Sequence, residues 1–442
     1  MNKKLIGLLC AMMLLAGCTQ NETGETETTQ EEEIEIIFED KTETSVISKD
    51  DITINETISN SEDGGHAIEA DGTSEEYFNI KVEKTGDSSG DEADFYGENA
   101  AIFATDGATL NLSNIIVETD GTHANGVFSY GEGTTVNISD SVIETSGNCS
   151  GGLMTTGGGT MNASNLNIHT TGNSSAAIRS DRGGGIVNVS GGQYITDGKG
   201  SPVIYSTADI TVSDAYLEST SSQGVVVEGD NSVTLNDVTL VASNVSKNSD
   251  KSSYYQAVMI YQSMSGDADE GVASFTMNNG SLTNKNGDIF FVNNTVATIN
   301  LDNVTIINED NEGVLLRAEA AGWGSDGSNG GNVTLNASNQ NLEGKIVVDD
   351  ISTLNLYLTS SSTYEGQIDN EGETYVEIEA GSSWTLTGDS YITSLTCVTG
   401  SINLNGYKLY VNGVEYDGGN STGEAITVTQ SSSSHSGKPG KH

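Results

Sequence analysis

The sequence predicts an all-β protein: a right-handed parallel β-helix of about a dozen coils, with three short strands per coil. Three observations carry this reading. A five-residue phrase, apolar–x–apolar–Ser/Asn–Asn/Asp/Gly, returns every 21–26 residues, with two longer intervals of 42 and 34. In each well-formed copy its last position is a residue that tolerates a left-handed backbone. Beyond the N-terminus no stretch holds the three-and-four apolar spacing of a helix, in a chain with 53 Gly, 2 Pro and 6% aromatic residues.

Each strand follows from the phrase. Copies begin at Leu110, Val136, Met161, Val187, Ile210 and Val233, then at Phe275, Ile299 and Val333, and in degenerate form at Leu354, Val376 and Ile402. The alternating apolar pair predicts a strand with one residue inside and its neighbour outside. An earlier strand is predicted about eight positions ahead, at Ile102, Phe128, Leu153, Ile178, Ile204, Val226, Met259, Phe290 and Leu315. A third follows the two-residue turn, at Ile116, Ile143, Ile168, Leu217 and Leu240. At roughly 4.8 Å per coil, the stack is expected to be about 55–60 Å long. A β-propeller would need longer repeats with four strands each.

The outward residue between each apolar pair is Asn111, Asn137, Asn162, Asn188, Thr211, Thr234, Thr276, Asn300 and Thr334. Stacked coils turn these into a polar row, expected to be a structural row of side-chain hydrogen bonds. Such flat rows also suit a regular surface such as ice or crystalline polymer.

The N-terminus is read separately. Lys3 and Lys4 precede an apolar stretch, Leu5 to Leu15, that is too short to span a bilayer, and Leu15-Ala16-Gly17-Cys18 closes it. This resembles the lipobox of a bacterial lipoprotein. It implies that residues 1–17 are a cleaved signal peptide and that Cys18 is lipidated. Residues 18–45 are then an acidic disordered tether, 46–415 the β-helix domain and 416–442 a flexible Ser/Gly-rich tail. Removing residues 1–17 leaves 15 basic against 63 acidic side chains, a formal net of −48. That balance excludes nucleic acid and anionic headgroups as partners. It suits solubility at a cell surface, and also divalent cations.

Over roughly residues 50–410 the chain resembles the pectate-lyase-like superfamily of right-handed β-helices. Residues 381–413, with Trp384, Gly388-Asp389-Ser390 and Gly406, are similar to the final coils of autotransporter adhesin passengers. Such passengers precede a membrane barrel, whereas here the lipid on Cys18 is the expected anchor. The superfamily resemblance implies testing for polysaccharide cleavage. A polygalacturonase-like site would bring Asn-x-Asp, a double Asp, Gly-His-Gly and Arg-x-Lys together. The last two motifs do not occur, and the Asp pairs at 50–51 and 349–350 fall near the ends of the predicted stack. A lyase would need a basic residue beside calcium to take the proton next to a uronate carboxyl. The arginines are Arg179, Arg182 and Arg317. Arg179-Ser180-Asp181-Arg182 reads first as an ion-pair cluster and second as a ligand contact. Cys149, in Gly-Asn-Cys-Ser-Gly, reads as a turn or small buried cysteine rather than a nucleophile.

The long intervals mark insertions, Gln262–Gly271 and Ala318–Gly330, whose parent strands lie two coils apart. Both loops are expected at one edge. They offer Asp267, Asp269, Glu270 and Asp326 as oxygen ligands for calcium, with Tyr261 and Trp323 as surfaces for a sugar ring. The plainer alternative is solvated loops in an acidic protein. Asp87–Asp94 is a second acid-rich loop, without an EF-hand pattern. The expectation from sequence is a non-enzymatic, monomeric, lipid-anchored surface adhesin. Its partner would be a polysaccharide or host-cell glycoconjugate, with calcium assisting. A polysaccharide lyase or hydrolase, or a passive envelope spacer, are the alternatives.

Overall fold

The computed structural model describes residues 46–246 and 251–428. The expected signal peptide, Cys18 and the tether lie outside the described residues, as do residues 429–442 of the expected tail. Among the described residues the only helices are a 3-10 turn at Lys49–Asp51 and the five-residue α-helix Asp91–Phe95. The rest is strand and turn.

The strands form a right-handed parallel β-helix with three ladders. The first ladder has twelve parallel strands, from Ile68–Asp71 through Leu153–Thr156 and Val225–Glu228 to Ile368–Asn370. The second runs from Ser74–Phe78 to Ser394–Thr396. The third runs from Glu56–Asn60 to Thr305–Asn308, and four further strands, Asn341–Glu343 to Ile402–Asn403, take the same place in later coils. Three long strands, Thr135–Thr145, Gly159–Thr170 and Gly185–Thr196, belong to both the second and third ladders. They bend at Asp140, Asn165 and Gly191, whose φ angles are 48°, 51° and 69°. That is why the fifth position of the phrase is Asn, Asp or Gly.

Inside, Val136, Ile138, Met161, Val187 and their counterparts form one continuous apolar core. Antiparallel pairing of Leu409–Val411 with Val414–Glu415 blocks one sheet edge. The first residues of the expected tail are fastened rather than free. Ile426 N donates to Asn355 Oδ1 at 2.8 Å, and Cys397 bridges Ser421.

Register expectations change in all three ladders. In the first ladder the inward line is Ile102, Val127, Leu153, Ile178, Ile204, Val225, Val258 and Phe290. Phe128, Val226 and Met259 are one residue off it and face outward, where they are still buried in separate apolar clusters, and Leu316 rather than Leu315 continues the line from Phe290. Inserted segments cover this outer face, so the alternation that marks a half-wet strand is lost. In the second ladder Ile299 pairs with Leu335, so Asn336 rather than Thr334 continues the polar row. Leu356 rather than Leu354 follows Leu335. In the third ladder Val117 rather than Ile116 pairs with Ile143, and Ile116 faces outward beside Val142. Ile402 pairs with Trp384 and belongs to the third strand of its coil.

Candidate functional site

The outer face of the second ladder carries a groove lined almost entirely by uncharged residues. Asn137 Nδ2 donates to Asn111 Oδ1 at 2.9 Å, Asn162 to Asn137 at 2.9 Å and Asn188 to Asn162 at 3.0 Å. A second row runs beside it, of Ser113, Ser139, Ser164, Ser190 and Ser213. Together, with Glu76 and Thr211 also on its wall, they line an open groove of about 620 Å³. An amide has two N–H donors and two acceptor lone pairs. The row uses one of each between neighbours. Every asparagine therefore keeps one donor and one acceptor for a ligand, repeated once per coil, roughly every 4.8 Å. Glu76 is the single ionisable residue among those lining it.

The outer face of the first ladder is closed. Its outward line is Phe103, Phe128, Met154, Arg179, Tyr205, Val226, Met259, Phe291 and Arg317. The two arginines that interrupt this line are each neutralised. Arg179 donates to Asp181 at 2.8 Å, and Arg317 donates to Asp288 at 2.6 Å while lying 3.6 Å over the Tyr254 ring. Asp181 is 3% exposed; burial lifts its carboxyl to about 6, against the pull of Arg179. Glu228, 0% exposed, accepts from Tyr205 Oη at 2.5 Å and from Ser263 N at 3.2 Å. Burial, with Glu228 adding to it, pushes the Tyr205 and Tyr261 phenols well above their usual range.

The two insertions emerge at one edge, on either side of Asn294. Asn294 Nδ2 donates to the Gln262 carbonyl at 2.8 Å, and Met264 and Glu270 of one insertion line a small crevice with Ser325 and Ser328 of the other. The proposed ligand atoms do not converge there. Asp267 accepts from Arg182 Nε at 2.8 Å and from Ser265 Oγ at 2.7 Å, whereas Asp269 and Asp326 are exposed. Asp267, Asp269, Glu270 and Asp326 supply no three carboxylate oxygens within 4.8 Å of one another. Tyr261 is 9% exposed and meets the half-buried Trp323 edge-on, ring centroids 5.1 Å apart, so its faces are not free for a sugar. Arg182 also reaches Asp91 at 3.1 Å and stacks 3.6 Å over Phe95. Two acids of the 87–94 loop engage the solenoid: Asp87 accepts from Thr122 N at 2.7 Å, and Asp94 faces His123.

Sequence reasoning missed the serine row, Tyr205 and Glu228. The serine row sits at the fourth position of the phrase and was legible. Tyr205 and Glu228 look like ordinary strand residues until the coils are stacked.

No protein-family model, curated protein or solved structure matches this chain.

Proposed function

We propose that this protein is a lipid-anchored, monomeric surface adhesin that binds an extended carbohydrate chain along the groove of the second ladder, without cleaving it. The carrying observation is the pair of Asn and Ser rows, neutral and evenly spaced on a protein of net charge −46. Polysaccharides present hydroxyls at regular intervals, and rows of spare amide and hydroxyl groups are suited to meet them. The ligand would lie across several coils, so that weak contacts add up. A screen of the full chain against a glycan array tests this: binding to polymers longer than a few sugars is expected, and an empty array would dismiss it. The anchor is tested by labelled palmitate, whose incorporation should vanish in Cys18→Ala.

A second reading, a polysaccharide hydrolase or lyase, draws on one observation. Asp181 is poised to titrate at about 6, in the pH range where a general acid works. Asp181 and Glu228 are both covered, however, and a substrate would need the insertions to open. Reducing ends or unsaturated products released from pectin and related polymers, and lost in Asp181→Asn, would favour it over the first reading.

A further inference from the structure

The turns from the third ladder to the first stack in register. Gly121-Thr122-His123 and Gly147-Asn148-Cys149 hold the same place in successive coils, tied by His123 N donating to the Asn148 carbonyl at 2.9 Å. His123 and Cys149 both have left-handed backbones, φ 58° and 56°. Asp94, from the short helix Asp91–Phe95, closes over them, with its Oδ1 3.4 Å from His123 Nε2. One ligand atom from each of the three side chains lies within 4.8 Å of the other two, and no other such group of His, Cys, Asp or Glu occurs among the described residues. His123 is 8% exposed, and its Nδ1 has no hydrogen-bond partner. A buried imidazole nitrogen left unmet is costly and calls for an explanation.

We propose that Asp94, His123 and Cys149 form a binding site for one zinc-class divalent ion. Thiolate, imidazole and carboxylate together suit a borderline-soft ion, and three protein ligands leave a fourth position for water. Calcium, which takes six to eight oxygens, does not fit this set. The cluster is not arranged as a nucleophile and base: no hydrogen bond joins Cys149 to His123, and burial pushes the thiol pKa up. On binding, the thiol releases its proton to solvent and the sulfur donates its electron pair to the ion. The ion would tie the insertion carrying Asp94 to two successive coils. Asp91 and Phe95 of the same helix already rest against Arg182, so metal would complete the cover over the first ladder.

The test uses the full chain in detergent, stripped with chelator and titrated with Zn²⁺ in excess Mg²⁺ and Ca²⁺ to occupy the acidic surface. One retained zinc per chain is expected, with alkylation of Cys149 slowed roughly tenfold or more, read by peptide mass. Co²⁺ in place of zinc should give a thiolate-to-metal absorption band that Cys149→Ser abolishes. Equal Cys149 alkylation with and without zinc would overturn the proposal without any variant. So would a retained ion that survives both Cys149→Ser and His123→Gln.

Discussion

Arg182 and Asp267 lie 85 positions apart in sequence and meet at 2.8 Å. The same guanidinium holds Asp91 and covers Phe95, so one side chain fastens two insertions to the solenoid. Each partly exposed pair contributes at most about 1 kcal/mol, too little to govern the melting of so large a core. Local opening is another matter, because Arg182 ties both insertions at once. Arg182→Ala should therefore speed proteolytic cleavage within 87–98 and 262–271 several-fold while leaving the thermal midpoint within a few degrees. An unchanged cleavage pattern would show that the insertions close without it.

Close coil stacking makes a second prediction. A Cβ on Gly147 would stand 1.9 Å from the Gly121 carbonyl oxygen, and one on Gly172 would stand 1.8 Å from that of Gly147. The obstacle is backbone, which cannot swing aside. Gly147→Ala should cost roughly 1–3 kcal/mol, the usual range for overpacking. Chemical denaturation would reveal it, and wild-type stability would mean that the coils can spread there.

Asp181 gives a pH dependence whose sign is fixed. Its carboxyl is raised from the ordinary 3.8 to about 6, so the folded state holds a proton that the unfolded state has released between those values. The contribution is fully present below about pH 4 and is lost as pH rises through 6. Asp181→Asn should flatten the stability profile in that window, although losing the Arg179 pair lowers stability above about pH 6, where the carboxylate is charged. Melting temperatures at pH 4.5 and 7 decide this. A difference between the two pH values as large in the variant as in the wild type would contradict it.

Most of the second and third ladders was legible in the sequence because one face is wet there; Ile116 was read one residue out because both it and Val117 are buried. Val136 and Ile138 alternate with Asn137, and Asp140 marks the bend. The first ladder was read one residue out at Phe128, Val226 and Met259, because burial on both faces erases alternation. The slip at Val333 had a visible remedy: Leu335-Asn336-Ala337-Ser338-Asn339 matches the phrase, with alanine third as in Met161-Asn162-Ala163. The period also aligns His123 with Cys149, a coincidence that spacing alone discloses. Asp94 joins them from an inserted helix, and no repeat could place it. Tyr261 read as an exposed aromatic because the cover formed by the insertions is a tertiary feature.

The groove itself is tested most directly by Ser164→Arg, which places a long side chain in its floor without removing an amide from the row. Affinity for whichever glycan the wild-type chain selects should fall roughly tenfold or more, with the thermal midpoint unchanged, while Trp323→Ala leaves affinity intact. Equal affinity in Ser164→Arg, or loss confined to Trp323→Ala, would contradict binding along the second ladder.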